Sequence, residues 1–438
     1  MAVVLVSKGI ERMRYKLIAA ALIAVTYHAC GVCAADPDQP VFSFNGFGTL
    51  GAVHSSEADA DLVANFFQPN GAGFTRAWSA SVDSKLGLQM DVHLNDRISA
   101  TLQVAAQHRY DNHYMPQVEW ANVKYQFTPD LSVRLGRTVT SFFSVSDSGL
   151  VSYTQPWVRP PLELYAQLPI KHKDGIDALY RFKFGEVTSS LDASYGQFDS
   201  KLPAGGETRE THFFDISETV EYGAASMRFG YGSLRIAVSD PGLTSLFGGF
   251  TQFGNVLAAI PGLQANAAQA FAIADRYPIE NIPYSLITVG ATYDPGTWLL
   301  MGEWVRADGS GSIPNSTAWY VTGGYRIGAF TPYLTLSRAV AATPSEPGIS
   351  TAGLPPQLAV ATAGLNAGLA AALNAFTRSQ QTTSAGIRWD FMRNMALKLQ
   401  FERLNTLAGS TGFLANVQPG FRPGEHLNVF SATIDFVF

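Results

Sequence analysis

Residues Asn428–Phe438 read NVFSATIDFVF. Phe430, Ala432, Ile434, Phe436 and Phe438 fall on one parity, and Val429, Ser431, Thr433, Asp435 and Val437 on the other. Side chains alternate across a strand, so the stretch has one apolar and one mostly polar face. A soluble sandwich offers the same alternation, and the rest of the chain decides between it and a membrane wall.

Working back from that strand, the same unit recurs as a hairpin: two alternating runs joined by a short turn, then a longer loop. KLGLQMDVHL turns at Asn95-Asp96-Arg97 into ISATLQVAAQHR, and EWANVKYQF turns at Thr128-Pro129-Asp130 into LSVRLGRTV. IDALYRFKF turns at Gly185-Glu186 into VTSSLDASYG, and TVEYGAASMRF at Gly230-Tyr231-Gly232 into SLRIAVS. SLITVGATY turns at Asp294-Pro295-Gly296-Thr297 into WLLMGEWVRA, TAWYVTGGYR at Ile327-Gly328-Ala329 into FTPYLTLSR, and TTSAGIRWDF at Arg393-Asn394-Met395 into MALKLQFER. Gly, Asn, Asp and Pro are the residues short turns require. With FSFNGFGTLGAV (Phe42 to Val53) in front and the quoted strand behind, these predict about sixteen antiparallel strands. An even count with short turns at one end and long loops at the other predicts an all-β, up-and-down transmembrane barrel. In lipid such a sheet must close, because an open edge leaves backbone groups unpaired.

Aromatic residues gather beside the short turns: Phe127, Phe182, Phe184, Phe229, Tyr293, Trp298, Tyr325, Phe330, Trp389 and Phe391, with Phe436 and Phe438 at the chain end. A soluble core would not concentrate aromatics at one end of every hairpin, whereas a membrane interface does. Charged residues make up 15% of the chain, below the usual quarter. Mean hydropathy is close to neutral, which excludes a bundle of membrane helices. The net charge of −5 gives no reason to expect nucleic-acid binding.

MRYKLIAAALIAV (Met13 to Val25) followed by VCAAD reads as an export signal over residues 1–35, with Met13 as a possible true start. Cys30 and Cys33 both lie in it, so the exported chain of residues 36–438 is expected to carry no disulfide and no thiolate metal site. Neither cysteine has Leu three residues earlier, which argues against a lipoprotein.

The export signal, the strand count, the terminal Phe438 and the run EWANVKYQFTPDLSVRLGR, ending at Gly136-Arg137, together resemble Gram-negative outer-membrane porins of the general diffusion type. The resemblance covers essentially the whole exported chain. It implies a homotrimer in outer-membrane lipid and lipopolysaccharide, and a terminal aromatic, Phe438, recognised by the barrel-assembly machinery. It also implies that the third long loop, Thr140 to Asp174, folds into the barrel and narrows the channel.

If the apolar parity faces lipid, the other faces water. That places Lys85, Gln89, Asp91, Arg109, Asn122, Lys124, Arg134, Arg181, Lys183, Arg228, Arg235, Arg326, Arg388, Lys398 and Glu402 inward. An inward-folded loop would set Asp147 and Glu163 against Arg109, Lys124, Arg134 and Arg181, and opposed charges across a narrow lumen create a transverse field. The Ala-rich segments FGNVLAAIPGLQANAAQAFAIADRY and PPQLAVATAGLNAGLAAALNAFTR have helix-forming composition but no cofactor motif. The expected function is passive diffusion of small hydrophilic solutes and ions, without cofactor or metal. A substrate-specific channel for sugar, phosphate or organic acid remains an alternative. An outer-membrane hydrolase is a remote one, because His93, His108, His113, His172, His212 and His426 lie in no recognisable nucleophile motif.

Overall fold

The computed structural model describes residues 41–438 apart from Pro169, Pro344 and Ala408, so the expected export segment lies outside the described residues. The sixteen long strands are, in chain order, β1 Val41–Ser55, β2 Lys85–His93, β3 Ile98–Gln107, β4 Gln117–Gln126, β5 Leu131–Val139, β6 His172–Phe184, β7 Val187–Lys201 and β8 Glu207–Tyr222, followed by β9 Ala225–Ser239, β10 Ile282–Tyr293, β11 Trp298–Asp308, β12 Ser316–Tyr325, β13 Phe330–Ala341, β14 Gln380–Met392, β15 Met395–Thr406 and β16 His426–Val437. Each pairs with its neighbours, and β1 closes the ring by pairing with β2 on one edge and antiparallel with β16 on the other. At that seam Phe47 stands opposite Val437 and Ser55 opposite Val429.

Along β16 the parity of the opening stretch holds. Phe430 and Ile434 are exposed on the outside, while Val429, Ser431, Thr433 and Asp435 are buried inside. Beyond the strand's end, Phe438 exchanges both backbone hydrogen bonds with Gly46, at 2.8 and 3.0 Å. The rings of Phe438 and Phe436 lie on Gly46 and Gly48, so that a methyl at either glycine would overlap a ring. Aromatic cover of this kind shields the bare backbone of a strand glycine. Most of the aromatics beside the short turns, including Phe127, Phe184, Tyr293, Trp298 and Trp389, are exposed at the same rim.

The fourth hairpin corrects the sequence reading. Its turn is Gly223-Ala224, with Gly223 at φ 58°, and β9 runs unbroken through Gly230-Tyr231-Gly232. Those two glycines serve close approach: a Cβ on Gly232 would stand 2.7 Å from Cε2 of Phe142 in the third long loop. With one strand instead of a turn, Arg228, Gly230, Gly232 and Leu234 share the inner face. Arg235 then falls with exposed Met227, Phe229 and Tyr231 on the outer one. It lies near the strand's long-loop end, where an outward charge costs only about 0–1 kcal/mol.

Long loops fill part of the interior. Residues 56–84 pair briefly with β1 through Trp78–Ser79 and pack Leu62 and Val82 against Val53, Leu404, Leu427 and Val429. The third long loop, residues 140–171, carries one helical turn, α1 Leu162–Tyr165. The Ala-rich segments form α2 Pro241–Ala258, α3 Gln264–Arg276 and α4 Pro356–Phe376. Their apolar faces meet through Phe247, Phe250, Ile273, Tyr277, Leu369 and Leu373.

Candidate functional site in the lumen

The third long loop crosses the lumen and is fastened to the far wall. Its neck is closed where the Thr140 hydroxyl donates to the Ile170 carbonyl at 2.6 Å. Phe142, Phe143 and Trp157 are buried in an apolar cluster with Leu234, Tyr284, Leu286 and Tyr320 of the wall. The Trp157 indole N–H donates to the hydroxyls of Thr322 and Thr335, both at 3.0 Å. Beside it, the Val158 N–H donates to Gln400 Oε1 at 3.0 Å.

Three wall bases hold the loop by its carbonyls. Arg228 donates to the Ser141 carbonyl. Arg388 donates to Gln155 O at 3.1 Å and stacks on the Tyr153 ring at 4.7 Å. Lys398 donates to Ser152 O at 2.6 Å and Trp157 O at 2.8 Å, and pairs with Asp435 at 2.9 Å with both side chains 0% exposed. In return Glu303 accepts from the Ser144 N–H at 3.0 Å and the Tyr165 hydroxyl at 3.1 Å.

The charge pairing is the reverse of the expected one. Glu163, 2% exposed, accepts from Ser337 at 2.8 Å, Gln380 at 2.7 Å and Thr382, all neutral donors. Asp147 accepts from Ser141 of its own loop at 2.6 Å. Neither meets a wall base. Instead the loop's base, Arg159, enters a wall cluster: it binds Asp83 through two nitrogens at 2.7 and 3.0 Å, Glu402, and Ser431 at 2.7 Å. Burial works against its charge, and the fields of Asp83 and Glu402 outweigh that, so its pKa is raised. Arg159 is the one basic residue between Thr140 and Ile170, and its place in Pro156-Trp157-Val158-Arg159-Pro160 was the sequence signal for it.

The four bases expected opposite the loop acids are dispersed. Arg109 pairs with Glu119 at 2.7 Å, and Glu119 also meets His172 at 3.1 Å. Arg134 pairs with Asp177 at 3.0 Å. Arg181 reaches Ser190 at 3.3 Å near the short-turn rim, and Lys124 forms no side-chain bond among the described residues. Of the other expected lining residues, Gln89 and Asp91 form a ladder with Gln103 and Thr101 on the inner face of β2 and β3. Asn122 donates to the Arg137 carbonyl at 3.1 Å. Lys183 lies beside Arg181's end of β6 without a bonded partner among the described residues. Arg326 does not face mid-lumen; it ties the turn after β12 to Asp294 of the preceding turn at 2.7 Å.

Between the loop and the near wall remains a cavity of about 140 Å³, lined by Asp83, Lys85, Gln107, Arg159, Tyr165 and Lys171. It adjoins an outer hollow of about 200 Å³ that shares Gln107 and Lys171 and adds Arg109 and Glu119. Asp83 is committed to Arg159, whereas Lys85 and Lys171 form no ion pair among the described residues. Lys171 donates to Gln107 Oε1 at 3.0 Å. Burial, with the charges of Lys85 and Arg109 added and Glu119 opposing, pushes Lys171 down to about 8.

A closed, sixteen-stranded barrel with an apolar outer face, an aromatic rim and a loop-narrowed interior is an outer-membrane channel. Residues 19–337 match the family model for Gram-negative porin, and the chain belongs to that family of outer-membrane diffusion channels. Among solved structures, OmpF of Salmonella typhi in complex with daunomycin aligns at TM-score 0.53 and 10% identity, over 92% of this chain and 99% of that one. The outer membrane channel DcaP of Acinetobacter baumannii aligns at 0.52 and 12%, over 92% and 99%. An anion-selective porin from Comamonas acidovorans aligns at 0.51 and 12%, over 91% and 100%. At these identities the likeness concerns the fold. No curated protein matches the sequence.

Proposed function

We propose that solutes cross through the gap between the third long loop and the wall of β2–β3, and that this gap favours small anions. The observation that carries the reading is the pair Lys85 and Lys171, two ammonium groups without a paired carboxylate beside the 140 Å³ cavity. In a narrow lumen with low-dielectric walls, unpaired charge of one sign concentrates ions of the other. Asp147 and Glu163, the acids first expected to set selectivity, contribute less because one faces its own loop and the other is enclosed by neutral donors.

The sign with pH follows from Lys171. It carries charge below about 8 and loses it above, so anion preference should weaken from pH 6 to pH 9. Its lowered value also means that the unfolded chain binds more protons between about 8 and the ordinary 10.5, so this group's contribution to stability rises with pH through that window. Reversal potentials in a salt gradient at both pH values, for wild type and Lys171→Gln, test the reading. One common value in all four recordings rejects it.

Three further features belong to the same proposal: residues 1–35 act as the export signal, Phe438 is read by the barrel-assembly machinery, and the barrel forms a homotrimer in lipid and lipopolysaccharide. Native mass in mild detergent giving only monomer removes the trimer.

A further inference from the structure

At the long-loop end, beside the proposed gap, a separate chamber of about 380 Å³ opens. Its wall is mostly apolar, with Leu234, Ile236, Tyr284, Ile313, Phe376 and Phe413 facing it. One cation, Arg378, lines it from the short segment between α4 and β14. The guanidinium lies over the Phe66 ring at 5.1 Å, and among the described residues it has no ion pair and no side-chain hydrogen bond. By contrast, the arginines that fasten the third loop, Arg159, Arg228 and Arg388, all have bonded partners.

A partly buried guanidinium among apolar groups is costly unless an acceptor meets it. Burial is the sole influence on Arg378, and it pushes the group down to about 10. The acids on the same wall do not supply the acceptor. Asp240 caps α2, accepting from the Leu243 N–H at 2.9 Å. Glu210 is 6% exposed, and its Oε2 has no partner.

We propose that this chamber is a capture site for small organic monoanions with an aromatic or branched aliphatic body. The carboxylate would sit on Arg378 and the body on the wall around Ile236, Phe376 and Phe413. Planar guanidinium suits two-point bonding to a carboxylate, and the apolar wall removes the body from water. The inference depends on the pore reading only for the onward route, because binding is measurable without current.

The test is calorimetry on the full barrel in lipid nanodiscs, with benzoate as probe. Saturable binding is expected, at least about tenfold tighter than acetate or benzyl alcohol, since each lacks one of the two contacts. Arg378→Gln should weaken benzoate at least about tenfold. Phe376→Ala should weaken benzoate while leaving acetate unchanged, which keeps the test open if the Arg378 variant does not fold. Absence of saturation, equal affinity for acetate or benzyl alcohol, or wild-type benzoate affinity in both variants overturns the assignment. Single-channel conductance of the same preparations reports separately on the pore.

Discussion

At the residue scale, the centre of the lumen is organised by Arg159. Its guanidinium satisfies Asp83, Glu402 and Ser431 at once, in a site where both Arg159 and Asp83 are buried. Removing one member of a buried pair leaves the others without counter-charge, at a cost of about 3–5 kcal/mol. Arg159→Gln is therefore expected to loosen the loop, lower the temperature at which the barrel loses its folded gel mobility, and make the current noisier. Adding Asp83→Asn and Glu402→Gln to Arg159→Gln should restore most of that temperature. A single variant as heat-resistant as wild type argues that the cluster does not hold the loop.

At the scale of elements, the strands were legible because a membrane wall enforces the two-residue period on both faces at once, as along Phe430–Asp435. The fourth turn was not, since glycine answers to two causes. At Gly223 it supplies a positive φ, while at Gly232 it makes room for Phe142. Sequence spacing does not separate these causes when the neighbour is a loop far along the chain. The same distance hid the fastening of the loop, where Arg159 meets Asp83 and Glu402 from opposite ends of the sequence. The inward parity did find Arg228, Arg388, Lys398 and Glu402, but as solvated wall charges rather than anchors. The seam between β1 and β16 gives a prediction of its own. Deleting Phe438 removes two backbone hydrogen bonds and the ring over Gly46, so the folded, heat-modifiable form should become scarcer in the outer membrane. Phe438→Tyr keeps both and should assemble near normally. Equal amounts of folded deletion and wild-type barrel would show that Phe438 is dispensable.

At the scale of the whole barrel, the interior is filled unevenly. The apolar cluster around Phe142, Trp157 and Tyr320 occupies the side of β9–β13, and open space remains beside β2–β3. Shortening the loop between Ser144 and Leu168 is expected to remove Trp157 and Arg159 together and raise single-channel conductance several-fold, provided the barrel still folds. Unchanged conductance in such a folded variant would mean that the limiting passage lies elsewhere.

The anchoring of the loop through its main chain carries a further consequence. Arg228, Arg388 and Lys398 grip carbonyls of Ser141, Ser152, Gln155 and Trp157, and every residue type offers a carbonyl. The clasp is blind to much of what it holds. Ser152 borders the passage with its carbonyl held and its hydroxyl in no hydrogen bond among the described residues, so its side chain is open to exchange for another small one without unfastening the strap. A lineage, or an engineer, can rewrite the sieve while leaving its frame untouched.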